Sequence, residues 1–320
     1  MNPSLRLDRI MRRQCGFEWG QRYIPSTLAL PREGPKGSRI SRINSRKLGR
    51  AVHALSTPEK VFAQLALYHP QLIDLHEQKM LWPLTSAHPL RGHPLTKGLF
   101  LPQITGTADI AKQLGFKHYE IAVDLPDGRR VKIPFPYQGD LLLYLLDASG
   151  LPYALNWTVK DRKEAFGERR FSSAKTPVQQ SKDRIHAQLR TELERAYYAS
   201  AGIRTVQVSL DAVEPTVVAN LDLLFATHHI PLTLSPTLLE DFSAAVLEAV
   251  KEGEPVAYVA IRHAELWGSR DQFITKIYQD IWERKLAVNF FQPILIDRPL
   301  SIDCGDLLDM YGALFQEKES

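Results

Sequence analysis

Gly139-Asp140-Leu141-Leu142-Leu143-Tyr144-Leu145-Leu146 leads through Asp147-Ala148-Ser149-Gly150 into Leu151-Pro152-Tyr153-Ala154-Leu155-Asn156-Trp157-Thr158-Val159-Lys160. Both runs are almost continuously apolar, as strands buried on both faces are. The connection between them has the residues of a hairpin turn. Asp140 therefore heads one strand and Lys160 closes its neighbour, at the same sheet edge. A carboxylate at the head of a buried strand is costly unless it is paired or metal-bound. An acid beside a lysine can hold a divalent metal next to a cation, which phosphodiester cleavage requires.

Upstream of this hairpin, Ser56-Thr57-Pro58-Glu59 reads as a helix start. Serine with glutamate three places on is a capping box, and proline suits the first turn. Val61, Phe62, Leu65 and Ala66 follow at helical spacing. Residues 72–78 read as a short strand, and Pro83, Pro89, Pro94 and Pro102 make 80–106 irregular. A short helix is expected over 107–114, ending at Gly115. Residues 119–124 and 131–135 flank Pro126-Asp127-Gly128, a hairpin signal. Downstream, a long helix over 177–201 precedes a strand at 205–209 and a helix over 215–227. A boundary is expected near 228–236. Helices at 236–251, 255–265 and 270–286, a strand pair at 288–291 and 294–296, and a last helix near 305–315 suggest a winged-helix-like module.

At 320 residues the chain is long enough for about two domains. No stretch is apolar enough to span a bilayer, and the N-terminus has no apolar core of a signal peptide. Cys15 and Cys304 stand far apart without a metal-binding spacing, so a reducing cytoplasm is expected. Residues 1–50 carry 12 Lys and Arg against Asp8, Glu18 and Glu33, whereas residues 211–320 carry 8 against 18 Asp and Glu. The basic end suits phosphate and the acidic end suits protein. The expected organisation is a basic extended arm (1–50), a catalytic domain (51–230) and an acidic partner-binding domain (231–320).

A helix acid (Glu59), a strand acid (Asp140) and a lysine two residues beyond a polar position (Thr158-Val159-Lys160) follow the logic of the restriction-endonuclease-like PD-(D/E)xK fold. That fold is an α/β mixed sheet flanked by helices. The surrounding sequence is more specific. Gly37-Ser38-Arg39-Ile40-Ser41-Arg42-Ile43-Asn44-Ser45-Arg46-Lys47-Leu48-Gly49-Arg50, Val52-His53-Ala54-Leu55-Ser56 and Glu59 resemble the N-terminal region of TnsA, the endonuclease subunit of Tn-seven-like heteromeric transposases. The resemblance continues through residues 73–78 and 110–118, Asp140, Val159-Lys160 and 193–197, and faintly through Asn220 and 270–296. It implies that Glu59, Asp140 and Lys160 are the catalytic acid, acid and lysine, with Glu194 a further acid near the metal and Gln78 closing a short strand beside it. The resemblance further implies a Mg²⁺-dependent endonuclease, with Mn²⁺ able to substitute, that nicks one strand at each transposon end in a bacterial, DNA-associated, cytoplasmic setting. A separate integrase-type transposase subunit would cut the other strand, and an AAA+ regulator ATPase would dock on the C-terminal domain.

Thr158 departs from the family, which has Gln, Glu or Asp two residues before the lysine. A hydroxyl is a poor direct ligand, so Asn156 and the Val159 backbone carbonyl enter as oxygen donors. Arg39, Arg42, Arg46, Lys47 and Arg50, clustered before the catalytic helix, are candidate DNA contacts. Each acid has a plainer role too: Glu59 as a helix cap, Glu194 as a helix pair with Arg190 or Arg195. His53, His69, His76 and His118 lack metal-ligand spacing and read as structural. The alternatives are a stand-alone restriction or repair nuclease and a non-catalytic DNA-binding adaptor of a transposition complex.

Overall fold

The computed structural model describes residues 3–124, 127–167, 176–302 and 306–318. The chain divides into two compact units, the first running to Ala212 and taking in Gln316, the second spanning Val213–Phe315. In chain order, unit 1 contains α1 (Pro3–Gln14), β1 (Ser41–Ser45), β2 (Arg50–Ala54), α2 (Thr57–Tyr68), β3 (Leu72–Glu77) and β4 (Met80–Leu81). It continues with α3 (Thr107–Gln113), β5 (Glu120–Asp124), β6 (Arg130–Pro134), β7 (Tyr137–Gln138), β8 (Leu141–Leu146), β9 (Pro152–Lys160), α4 (Pro177–Ala199) and β10 (Arg204–Ser209).

The central sheet has four strands in the order β10-β9-β8-β3. β3 and β9 each pair antiparallel with β8, and β10 runs parallel to β9. The hairpin register places Leu141 opposite Trp157 and Leu146 opposite Pro152. Alternation along β9 assigns its two faces. Trp157, fully buried, meets Phe62 of α2 edge-on at 5.8 Å. Its neighbours Asn156 and Thr158 point the other way and donate to Glu194 of α4. The sheet is thus mixed and lies between α2 and α4. Leu142, Tyr144 and Ala154 join Leu193, Tyr197 and Tyr198 of α4 in one apolar core.

α2 starts where the sequence places it. Ser56 accepts the Glu59 N–H at 3.3 Å, and the Glu59 carboxylate reaches back to the Leu55 N–H at 2.9 Å. The α3 helix also forms, and Gly115 takes the left-handed conformation (φ 63°) that ends it. β5 and β6 pair as expected, although Pro126 of their turn lies outside the described residues. The short β4–β7 pair was not anticipated; two-residue strands carry no periodic signal.

Residues 1–50 are not an extended arm. Leu7, Ile10 and Met11 recur at helical spacing in α1, and Ile10 is buried with Met80, Ile121 and Phe135. Residues 41–54 form the β1–β2 hairpin, with Ile43 opposite Val52.

Unit 2 contains α5 (Pro215–Thr227), α6 (Pro236–Lys251), α7 (Val256–Trp267), α8 (Arg270–Trp282) and α9 (Leu307–Tyr311). The division therefore falls at Ala212–Val213 rather than near 228–236. The reason is that α5 packs on α8, where Phe225 meets Trp282 edge-on at 5.3 Å. The expected two-stranded wing does not form. Asn220 of α5 instead donates to the Phe290 and Gln292 carbonyls at 2.9 and 2.8 Å and accepts the Ile294 N–H at 3.2 Å. The backbone groups a strand pair would have joined are taken by one side chain. Among the described residues no helix is long and apolar enough to cross a membrane.

Candidate functional site

A cleft of about 840 Å³ opens at the sheet edge where β8 begins and β9 ends. Glu59, Asp140, Val159 and Lys160 line it together with Arg39 and Arg162. Glu59 arrives from the first turn of α2, Asp140 from the residue before β8, and Lys160 from the last position of β9. The expected convergence of a helix acid, a strand acid and a lysine is thus present in one cleft.

Glu59 is held rigidly. Its carboxylate accepts from the Leu55 N–H and Ser56 Oγ at 2.9 Å each and from Gln78 Nε2 at 2.8 Å. Gln78 reaches it from a left-handed backbone position (φ 44°) just past β3, an unusual conformation for a non-glycine residue. The capping and functional readings of Glu59 are therefore compatible: the cap fixes the carboxylate at the cleft wall. Burial, then the nearby Asp140, pushes the Glu59 carboxyl up to about 7, against the hydrogen bonds and Lys160.

Asp140 accepts the Val159 N–H on Oδ2 at 2.7 Å. This bond takes over where the β8–β9 register stops at Leu141 and Trp157. The Oδ1 atom has no hydrogen-bond partner among the described residues. Burial raises the Asp140 carboxyl above its ordinary value; Lys160 opposes this and Glu194 adds to it. Lys160 acts on both acids through its charge but forms no ion pair within 4.0 Å among the described residues.

The other expected ligands lie elsewhere. Asn156 is fully buried in the α4-facing layer, donating to Glu194 Oε1 at 3.1 Å and Thr205 Oγ1 at 3.3 Å. Thr158 also donates to Glu194 Oε1, at 3.1 Å, and Arg190 pairs with its Oε2 at 3.3 Å. Neither Asn156, Thr158 nor Glu194 lines the cleft. Glu194 is consumed by three donors and influences the cleft only through its charge on Asp140. Asn156 therefore does not supply an oxygen to the cleft, and Glu194 takes its plainer role, the helix pair with Arg190.

The basic residues also separate. Arg39 is exposed at the cleft, and Arg42 and Arg46 are exposed on the β1–β2 hairpin. Lys47 donates to the His69 carbonyl at 2.7 Å on the surface. Arg50, expected to touch DNA, is instead buried in a two-pronged pair with Glu77, at 2.8 and 2.9 Å. Asp161, Arg162 and Glu164 line the cleft unforeseen; the charge cluster directly after Lys160 was the available signal.

Two carboxylates, both raised by burial, Glu59 further by Asp140 and Asp140 further by Glu194, with one oxygen unpartnered, form a donor set that a hard divalent cation fits. Among the described residues no group of three or more His, Cys, Asp and Glu is gathered for a metal. A bound ion would therefore take most of its ligands from water, as Mg²⁺ commonly does. Comparison with protein-family models and with curated proteins finds no match to this chain.

Proposed function

We propose that this protein is a metal-dependent DNA endonuclease of the restriction-endonuclease-like type, acting as the strand-nicking subunit of a heteromeric transposase. The observation that carries the reading is the meeting of Glu59, Asp140 and Lys160 in one cleft whose rim also presents Arg39 and Arg162. Glu59, Asp140 and the Val159 carbonyl would hold Mg²⁺ or Mn²⁺, which polarises the scissile phosphate and acidifies water. The Lys160 ammonium offsets charge building on the phosphoryl oxygens. Its lack of a close ion pair leaves it available for that task. Leu55, Ser56 and Gln78 keep the Glu59 carboxylate from rotating away, and the Val159 N–H does the same for Asp140.

Transposon-end DNA is the proposed substrate, with an integrase-type subunit cutting the other strand. The acidic unit 2 is the proposed docking platform for an AAA+ regulator; its charge disfavours nucleic acid.

The test is a nicking assay on supercoiled DNA carrying a transposon end, with Mg²⁺, with and without the partner transposase subunit. Wild type should nick only with the partner, Asp140→Ala should not nick, and Lys160→Ala should bind metal but not nick. Cleavage by the wild type alone would favour a stand-alone nuclease. Retained nicking by Asp140→Ala would end the reading. A non-catalytic DNA-binding adaptor is the second reading, favoured by the diversion of Thr158 and Glu194 to each other. Equal, weak metal binding by wild type and Asp140→Ala would support it.

A further inference from the structure

A second pocket, of about 310 Å³, opens among Arg6 and Arg9 of α1, Arg32, Ser26, Thr27 and Gln138. Glu33 is its one lining carboxylate. That acid is already held: Arg9 stands at 3.3 Å, Arg13 grips it with both nitrogens, and the Leu28 N–H donates at 2.8 Å. Burial would raise the Glu33 carboxyl, but Arg13, the Leu28 N–H and Arg9 together hold it below its ordinary value. Glu33 is therefore ionised and spoken for.

The remaining groups are donors in search of an acceptor. Arg6 rests on Phe135, its guanidinium carbon 5.6 Å from the ring centroid, and neither Arg6 nor Arg32 has an ion-pair partner among the described residues. Gln138 accepts from Thr27 Oγ1 at 3.1 Å, so its carbonyl oxygen is already engaged at the pocket wall. Arg32 also holds a left-handed backbone (φ 72°) where glycine would be the unstrained choice. Two exposed guanidinium groups without ion-pair partners, both lining a small cavity, match an oxyanion.

The pocket adjoins the candidate cleft. Leu55 lines it, and the Leu55 N–H donates to Glu59. The Leu55 carbonyl accepts from Ser38 Oγ at 2.6 Å, and Ser38 lines the cleft. We propose that Arg6 and Arg32 bind a backbone phosphate of the DNA whose scissile phosphate lies in the neighbouring cleft. This site sets the register of the strand on the protein, as phosphate contacts do. The inference rests on the nuclease reading and extends it to a contact from α1, far in sequence from Arg39.

The experiment uses the full chain in an Asp140→Asn background, so that DNA stays intact while fluorescence anisotropy follows duplex binding across a salt series. Arg6→Ala combined with Arg32→Gly, whose glycine suits the backbone, should flatten the slope of log K against log salt by about 1–2 and weaken binding roughly tenfold or more near 0.1 M salt. The Arg6→Lys, Arg32→Lys protein should keep most of the slope, because lysine retains the charge. Thermal unfolding of each variant separates lost contact from lost fold. An unchanged slope with DNA binding intact overturns the phosphate site and leaves the nuclease reading standing. Absence of DNA binding in the Asp140→Asn parent sinks both. Stabilisation of the parent by inorganic phosphate, lost in the double variant while its DNA slope is unchanged, marks a free-anion pocket and also overturns the proposal.

Discussion

Two clusters of charge flank β3, and they are built on opposite principles. Around its buried length, both carboxylates are engaged by partners. Arg50 forks onto Glu77, which also accepts the His53 N–H at 2.9 Å. Asp74 accepts the Gly20 and Leu75 N–H groups at 2.7 and 2.8 Å, beside a His76 ring that burial keeps neutral and Tyr23 stacks upon at 3.8 Å. Burial would push Asp74 up and Arg50 down, yet their partners reverse both shifts. Past the end of the strand, Gln78 steers Glu59 toward Asp140, and there both carboxyls are raised rather than lowered. A cluster that neutralises itself holds the N-terminal segment to the sheet. A cluster left in like-charge repulsion is poised for something from outside.

Removing half of the matched pair should have the largest effect. Glu77→Ala leaves Arg50 buried without its counter-ion and should cost about 3–5 kcal/mol in urea unfolding. A loss well under 1 kcal/mol would show that the first cluster is not self-neutralising.

The unmatched cluster should respond with opposite sign. The raised Glu59 carboxyl is still protonated in the fold at pH values where the unfolded chain has already ionised. Its contribution is therefore most favourable below about pH 4.5 and is lost as pH rises through about 7. Glu59→Gln keeps an acceptor for Leu55 and Gln78 and removes the ionisation, so it should raise stability at pH 8 by on the order of 1–3 kcal/mol. Destabilisation there, with an unchanged pH profile, would break the contrast.

Divalent cation should close the gap between the clusters. At about a hundredfold excess over its dissociation constant, Mg²⁺ should stabilise wild type by roughly 2–3 kcal/mol, read by thermal unfolding, and leave Asp140→Asn unmoved. Equal shifts in both proteins would place the ion elsewhere. The smallest effect on stability belongs to Arg39→Ala, expected within about 0.5 kcal/mol of wild type. The same change should flatten the salt dependence of DNA binding by about 1. Arg50→Ala should show the reverse, unfolding easily while its salt slope, where the protein still folds, stays the same.

The sequence was most legible where one residue type had one physical use. The apolar runs of β8 and β9 left no alternative to a buried hairpin, and the Ser56–Glu59 cap located α2 to the residue. Arg50 was misread, and Glu194 was left between a place near the metal and the Arg190 pair it forms, because a charged side chain looks the same in sequence whether it meets solvent, a ligand or a buried partner. Arg50 stands in a row of arginines, but its place in β2 turns it onto Glu77 of β3, a strand of the other sheet. The wing at 288–296 failed for a related reason: Asn220, some seventy residues away, satisfies the backbone groups that local pattern assigned to a strand pair.

Hydrophobic periodicity and turn chemistry act over a few neighbouring residues, so the amino-acid order alone settled that a mixed α/β unit would present Glu59, Asp140 and Lys160 from the helix and strand positions they occupy. Which charges neutralise one another is a matter of distance and dielectric between segments far apart in the chain. Only the packed structure decided that Glu194 would be absorbed by Asn156, Thr158 and Arg190, leaving Glu59 and Asp140 to face each other across an open cleft.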